Sequence, residues 1–136
     1  MSNKINGKII RRSLFVWLLI VPLAILNGGL RNHVIEPMIG RYAQPISGII
    51  LCILIFFVCL IFIPRLGNGS RITYVILGIL WVVITIAFEF LMGFIEGFTL
   101  DELLSAYDIT TGNLWLIVLF FTGFSPWLSA KMKKII

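Results

Sequence analysis

Charge is what this sequence has least of. Asp, Glu, Lys and Arg together make up 12% of its 136 residues, about half the share of an ordinary soluble domain. Histidine occurs once, as His33, too few for a metal centre built of histidines within one chain. Cysteine occurs twice, as Cys52 and Cys59, within one apolar run. Seven positions apart on a helix, the two share a face but are separated by about 10 Å of rise, too far to bridge. They read as small apolar core residues, with neither a redox pair nor a metal pattern around them. Phosphate-cradling loops and dinucleotide fingerprints are missing, as are a nucleophile–base pair and a paired-acid spacing. No catalytic residue, metal ligand set or cofactor is therefore assigned, and an enzyme is the class with least support.

What is present is apolar length. Hydrophobic residues form 60% of the chain, gathered into four runs with no room between them for a separate globular domain. From Ile72 to Leu91 the only charge is Glu89. A helix of about 20 such residues spans a hydrocarbon core of about 30 Å. An acid inside that span is costly unless it faces protein, water or a cation, which marks Glu89 as a site residue. Helical winding places Gly78, Thr85, Glu89, Gly93 and Glu96 on one face. That small and polar stripe is expected to meet other helices, with Gly78, Thr85 and Gly93 as contact positions. The opposite face, Ile76, Leu80, Ile84, Ala87 and Leu91, suits lipid.

The other runs complete the pattern. Residues 1–12 are polar and basic, and the run after them ends without an A-x-A cleavage site, so it reads as a retained first span. Pro22 in its middle predicts a kink. Residues 31–44, with Pro37 and Gly40, read as a polar turn. Pro45 opens the second span. PRLGNGS, residues 64–70, reads as a tight turn, with Ser70 as N-cap of the third span. Thr99 and Glu102 have capping-box spacing. After them Leu100, Leu103, Leu104 and Tyr107 make the apolar edge of a short surface helix, with Asp101, Glu102 and Asp108 turned to water. The expected fold is an all-α membrane protein of one domain, residues 1–136. It is a bundle of four transmembrane helices at about 13–30, 45–63, 72–94 and 114–130, with an interfacial helix at about 100–108 between the third and fourth.

The net charge of +5 sits in the flanks, not in a stripe suited to nucleic acid. With the N-terminus in the cytoplasm, Lys4, Lys8, Arg11, Arg12, Arg65, Arg71, Lys131, Lys133 and Lys134 all fall inside, and only Arg31 and Arg41 outside. Both termini are then cytoplasmic. Trp17, Tyr74 and Trp127 are expected near the inner interface, and Tyr42, Tyr107 and Trp115 near the outer one.

All six acids lie at or beyond the outer end. Glu89 has a depth similar to Asn27 and Arg31, so an Arg31–Glu89 pair is expected, with Asn27 bridging. Arg31, Glu36, Arg41 and Glu89 then form the mouth of a polar path or a binding pocket. Glu89 is too near one surface for a carrier's midplane carboxylate. His33 and Glu36 have the spacing of two metal ligands on one turn but lack a third. Thr85, Thr122, Ser125 and Ser129 form a weakly polar track, best read as hydroxyls satisfied by their own backbone or a neighbour.

Three stretches carry a resemblance: Asn27-Gly28-x-x-Arg31, Phe88-Glu89-Phe90-x-x-Gly93, and Leu104-x-x-Tyr107-Asp108-x-x-x-Gly112-x-Leu114-Trp115. Together they resemble an uncharacterised family of small bacterial four-span inner-membrane proteins, over most of residues 14–130. The resemblance implies a multi-pass protein of the bacterial cytoplasmic membrane and a polar cluster on its outer face. It brings no activity with it. Where that pattern has an acid after the arginine and a base before Leu-Trp, this chain has Asn32 and Asn113, so ion pairs at those positions do not carry over.

Two functions fit these residues. The first is a small membrane protein that binds or passes a small polar solute or ion at the outer cluster, as a homo-oligomer. The second is a non-catalytic accessory subunit of a membrane partner protein, its cluster purely structural. A binding cluster leaves Arg31 or Glu89 facing a hydrated pocket, whereas a structural one pairs both and keeps them dry.

Overall fold

The structure is a computed structural model, and it describes residues 5–105, 107–108 and 114–136. Lys4, Gly112 and Asn113, on which the sequence reading also drew, lie outside the described residues. Every regular element among the described residues is helical. Three stretches are long and apolar enough to cross a membrane: Gly7–Leu66, Arg71–Ile95 and Trp115–Met132.

The first stretch folds back on itself. Helix α1, Gly7–Leu30, starts six residues before the expected span, because Asn6 rather than the end of the apolar run sets its N-terminus. The Asn6 side-chain oxygen accepts from the amides of Lys8 at 3.1 Å and Ile9 at 3.3 Å. Pro22 is accommodated within α1.

Residues 31–44 were expected as a polar turn and are instead mostly helical. A π-helical turn, Arg31–Ile35, leads into α2, Glu36–Ile39, and a 3₁₀ turn, Gly40–Tyr42. The chain reverses at Gly40, whose φ of 61° and ψ of −124° suit glycine. Helix α3, Ala43–Phe62, then returns along α1.

A 3₁₀ turn, Ile63–Leu66, and residues 67–70 link α3 to α4, Arg71–Ile95. The buried Tyr74 holds this tight turn together. Its hydroxyl donates to the Gly67 carbonyl at 3.0 Å and accepts from the Gly69 amide at 3.0 Å. Ser70 occupies the N-cap position, where its hydroxyl lies 3.0 Å from that of Thr73. At its other end α4 closes with the Phe98 amide bonded to the Gly93 carbonyl and the Gly97 amide to that of Phe94, the pattern of a Schellman cap. Helix α5, Leu100–Ser105, follows, shorter than the expected surface helix. Its start carries the reciprocal capping box: the Glu102 amide donates to Thr99 Oγ1 at 3.2 Å, and the Thr99 amide to Glu102 Oε1 at 3.3 Å. Helix α6 is Trp115–Met132.

The neighbours run α1, α3, α6, α4 and back to α1. Buried Trp81, Leu77, Ile55, Cys59, Ile63 and Val16 fill the ring toward the end where α1 begins. Gly78 of α4 meets the backbone of Gly123 of α6 so closely that a Cβ there would overlap the Gly123 carbonyl. The buried face of α4 includes Gly78 and Gly93 of the expected stripe, and it extends beside them to Thr73, Tyr74, Leu77 and Trp81. Of the face assigned to lipid, Ala87 and Leu91 are exposed, while Ile84 packs against the core, and Val75, Ile79 and Val83 extend the exposed face. The residues named above on the outside are large and apolar, the inverse of a water-soluble surface.

Candidate functional site

At the other end the ring is not filled. A cavity of about 400 Å³ lies between α1, α3, α4, α5 and α6. Its rim carries Arg31, Gln44, Glu96 and Phe98, and its deepest walls are Ile55, Val118 and Thr122. Most of the lining is apolar, with a few polar groups projecting inward.

Glu89 is the central one. Its Oε2 accepts from the Tyr107 hydroxyl at 2.9 Å and from the Trp115 indole N–H at 2.7 Å. Among the described residues its Oε1 accepts no hydrogen bond. Tyr107 is positioned by stacking on Phe90, with ring centroids 6.1 Å apart and planes 8° from parallel. Burial, and then the hydrogen bond to Glu89, push the Tyr107 phenol up to about 12. Both effects favour the neutral O–H that donates to the carboxylate.

One turn in from the rim on α1, Asn27 is 6% exposed. Its Oδ1 accepts from the Ser47 hydroxyl of α3, while its Nδ2 has no partner. A buried amide with an unused N–H is costly; Asn27 borders the cavity, but its Nδ2 is itself buried. The Trp17 indole donates to Thr85 Oγ1 at 2.9 Å and sets its ring edge against Phe88, with centroids 5.8 Å apart.

The expected Arg31–Glu89 pair does not form. Both residues line the cavity, but Arg31 Nε donates to Asn32 Oδ1 at 3.3 Å and its guanidinium turns back beside Gly28. Equal depth on two helices does not give equal azimuth, and neutral donors from the chain after α5 and from α6 reach the carboxylate instead. Glu36 is exposed and takes no part in the cavity. Arg41 lies over the Tyr42 ring at 5.1 Å and donates to its hydroxyl at 3.2 Å, also apart from the cavity. His33 is exposed, and among the described residues no group of three or more His, Cys, Asp and Glu side chains is placed to hold a metal.

The contact stripe is used within the chain: Gly78 against Gly123, Thr85 under Trp17, and Gly93 against the Leu103 side chain of α5. Of the hydroxyl track, Thr122 and Ser125 donate to the carbonyls of Val118 and Phe121 one turn back.

Sequence reasoning missed Trp17, Ser47, Tyr107 and Trp115 as site residues. Trp17 and Trp115 were taken for interface anchors, Tyr107 for that and for an apolar edge. An apolar-span acid lacking a cationic partner needs neutral donors, and aromatic N–H and O–H groups at its depth were the available signal. All three motif stretches quoted above contribute to this cavity or to the groups that bind Glu89. Compared with family models, with curated proteins and with solved structures, the chain matches none.

Proposed function

We propose that the chain is a small four-helix transmembrane protein of the bacterial cytoplasmic membrane, with both termini inside, that binds a small solute in its outward-opening cavity. One observation carries the reading: the cavity is lined by the carboxylate of Glu89, whose Oε1 accepts no hydrogen bond among the described residues. A purely structural cluster would pair its charges with each other, and Arg31 and Glu89 are not paired. The accessory-subunit reading loses its main support there. Binding is favoured over passage, because the ring beyond the cavity is packed with Trp81, Cys59 and Ile63, all with no exposure. The glycine stripe is covered within the protomer, so the site does not depend on an oligomer.

The test is access. Thr85→Cys, made with Cys52 and Cys59 replaced by Ala, places a thiol in the cavity wall. A membrane-impermeant thiol reagent added from outside is expected to label it, and labelling is expected to stop when Ala24→Phe fills the space. An unlabelled Thr85→Cys protein would mean a dry cavity and return the accessory-subunit reading.

A further inference from the structure

We propose that the solute is an organic ammonium compound: a protonated amine on an apolar body. This rests on the binding reading above and names its ligand class. Among the described residues, the charged groups lining the cavity are one guanidinium, Arg31, and two carboxylates, Glu89 and Glu96. Arg31 is turned onto Asn32, and the two groups that hold Glu89 are neutral. Among the described residues the carboxylate therefore has no cationic partner and its Oε1 no hydrogen-bond donor, and a cation at Oε1 supplies both.

The same surroundings argue against a bare metal ion. Such an ion needs a shell of oxygen ligands, whereas Tyr107 and Trp115 aim hydrogens at Glu89 and the free atom of Asn27 is an N–H. Aromatic rings of Trp17, Phe88 and Trp115 also line the space, and their faces attract an ammonium group. A volume of about 400 Å³ with mainly apolar walls holds an organic body as well as a charge.

An ammonium group reaches the outer face of a membrane either on a free amine or on an ethanolamine lipid, and one experiment separates the two. Full-length protein is placed in nanodiscs of phosphatidylglycerol at pH 7, and the fluorescence of its tryptophans, two of which line the cavity, is titrated. The probes are 2-phenylethylamine, its neutral counterpart 2-phenylethanol, and the anion 3-phenylpropionate. The amine is expected to bind saturably, at least tenfold more weakly to Glu89→Gln and not at all to Ala24→Phe. Glutamine retains an oxygen for Tyr107 and Trp115, and the Ala24→Phe protein leaves the carboxylate untouched, so at least one variant tests the site in a folded protein. Adding phosphatidylethanolamine to the discs either raises the apparent Kd, which assigns the ammonium to lipid, or leaves it unchanged, which assigns it to a free amine.

Binding of the alcohol or the anion as tightly as the amine would overturn the ammonium assignment and leave the binding site standing. So would an amine affinity unchanged by Glu89→Gln. No saturable binding by any of the three probes, together with an unlabelled Thr85→Cys protein, would overturn both.

Discussion

Glu89 and Arg31 share a cavity without sharing a bond, and that separates them energetically. Residues more than about 7–10 Å apart with no shared partner have additive effects, within about 0.5 kcal/mol, and among the described residues these two share no partner. Thermal unfolding in detergent of Arg31→Gln, Glu89→Gln and the double variant is therefore expected to show additive losses. Recovery of stability in the double variant would mean the two charges are coupled after all. Tyr107 is the residue whose loss reaches Glu89 most directly. Replacing Tyr107 by Phe removes one hydrogen bond to a carboxylate and is expected to cost about 1–2 kcal/mol. The phenol also sets a pH dependence. Its pKa rises from 10.0 to about 12 in the folded chain, so folding favours the neutral form. That contribution is complete below pH 10 and is lost as the pH rises toward 12. The native protein is expected to lose stability across that window, and Tyr107→Phe to lose less of it. The absorbance difference between the two proteins during alkaline titration should place the Tyr107 transition near the upper limit.

Among elements, the contact of α4 with α6 is the least tolerant of change. A Cβ at Gly78 overlaps the Gly123 carbonyl, a backbone atom that can move only with its helix. Gly78→Ala is expected to destabilise by about 1–3 kcal/mol, as overpacking does. Gly29→Ala, where a Cβ meets nothing within 4 Å, is expected to be neutral or mildly stabilising, since alanine is the better helix former. Equal losses at the two positions would remove the close-approach account. This contrast also marks what the sequence made legible. Span existence, the Thr99–Glu102 box and the 64–70 turn are local properties, readable from composition and spacing. Gly78 was recognisable as a contact position, but Gly123 as its partner was not. A glycine's neighbour depends on how two helices are rotated against each other, which hydropathy does not encode. The same limit explains the Arg31–Glu89 expectation: a linear sequence gives depth along a span, while pairing needs azimuth as well. The helical character of residues 31–42 was hidden for another reason. Pro37 sits in the first turn of α2, where a proline is tolerated, and the reversal is concentrated at Gly40, so the turn signals mark a helix start and a helix end and not a loop.

For the whole molecule, the two ends of the helix ring differ in both charge and packing. Lys8, Arg11, Arg12, Arg65, Arg71, Lys131, Lys133 and Lys134 gather where α1 begins, α3 ends, α4 begins and α6 ends. Among the described residues, every acid lies in the other half, with the cavity. Basic residues flanking spans are retained on the cytoplasmic side, so the filled end should face inward and the cavity outward. Two exposed positions report this directly: Met38 beside the cavity end and Asn68 in the turn at the basic end. With Cys52 and Cys59 replaced by Ala, Met38→Cys in intact cells is expected to react with an impermeant thiol reagent. Asn68→Cys should react only after the membrane is opened. The reverse pattern would turn the cavity toward the cytoplasm, and any solute would then be drawn from inside the cell. Labelling of both positions in intact cells would mean that the helices do not span at all. Because the same reagent probes Thr85→Cys, orientation and cavity access are read on one scale, and a cavity open to the outside should give Met38→Cys and Thr85→Cys the same sidedness.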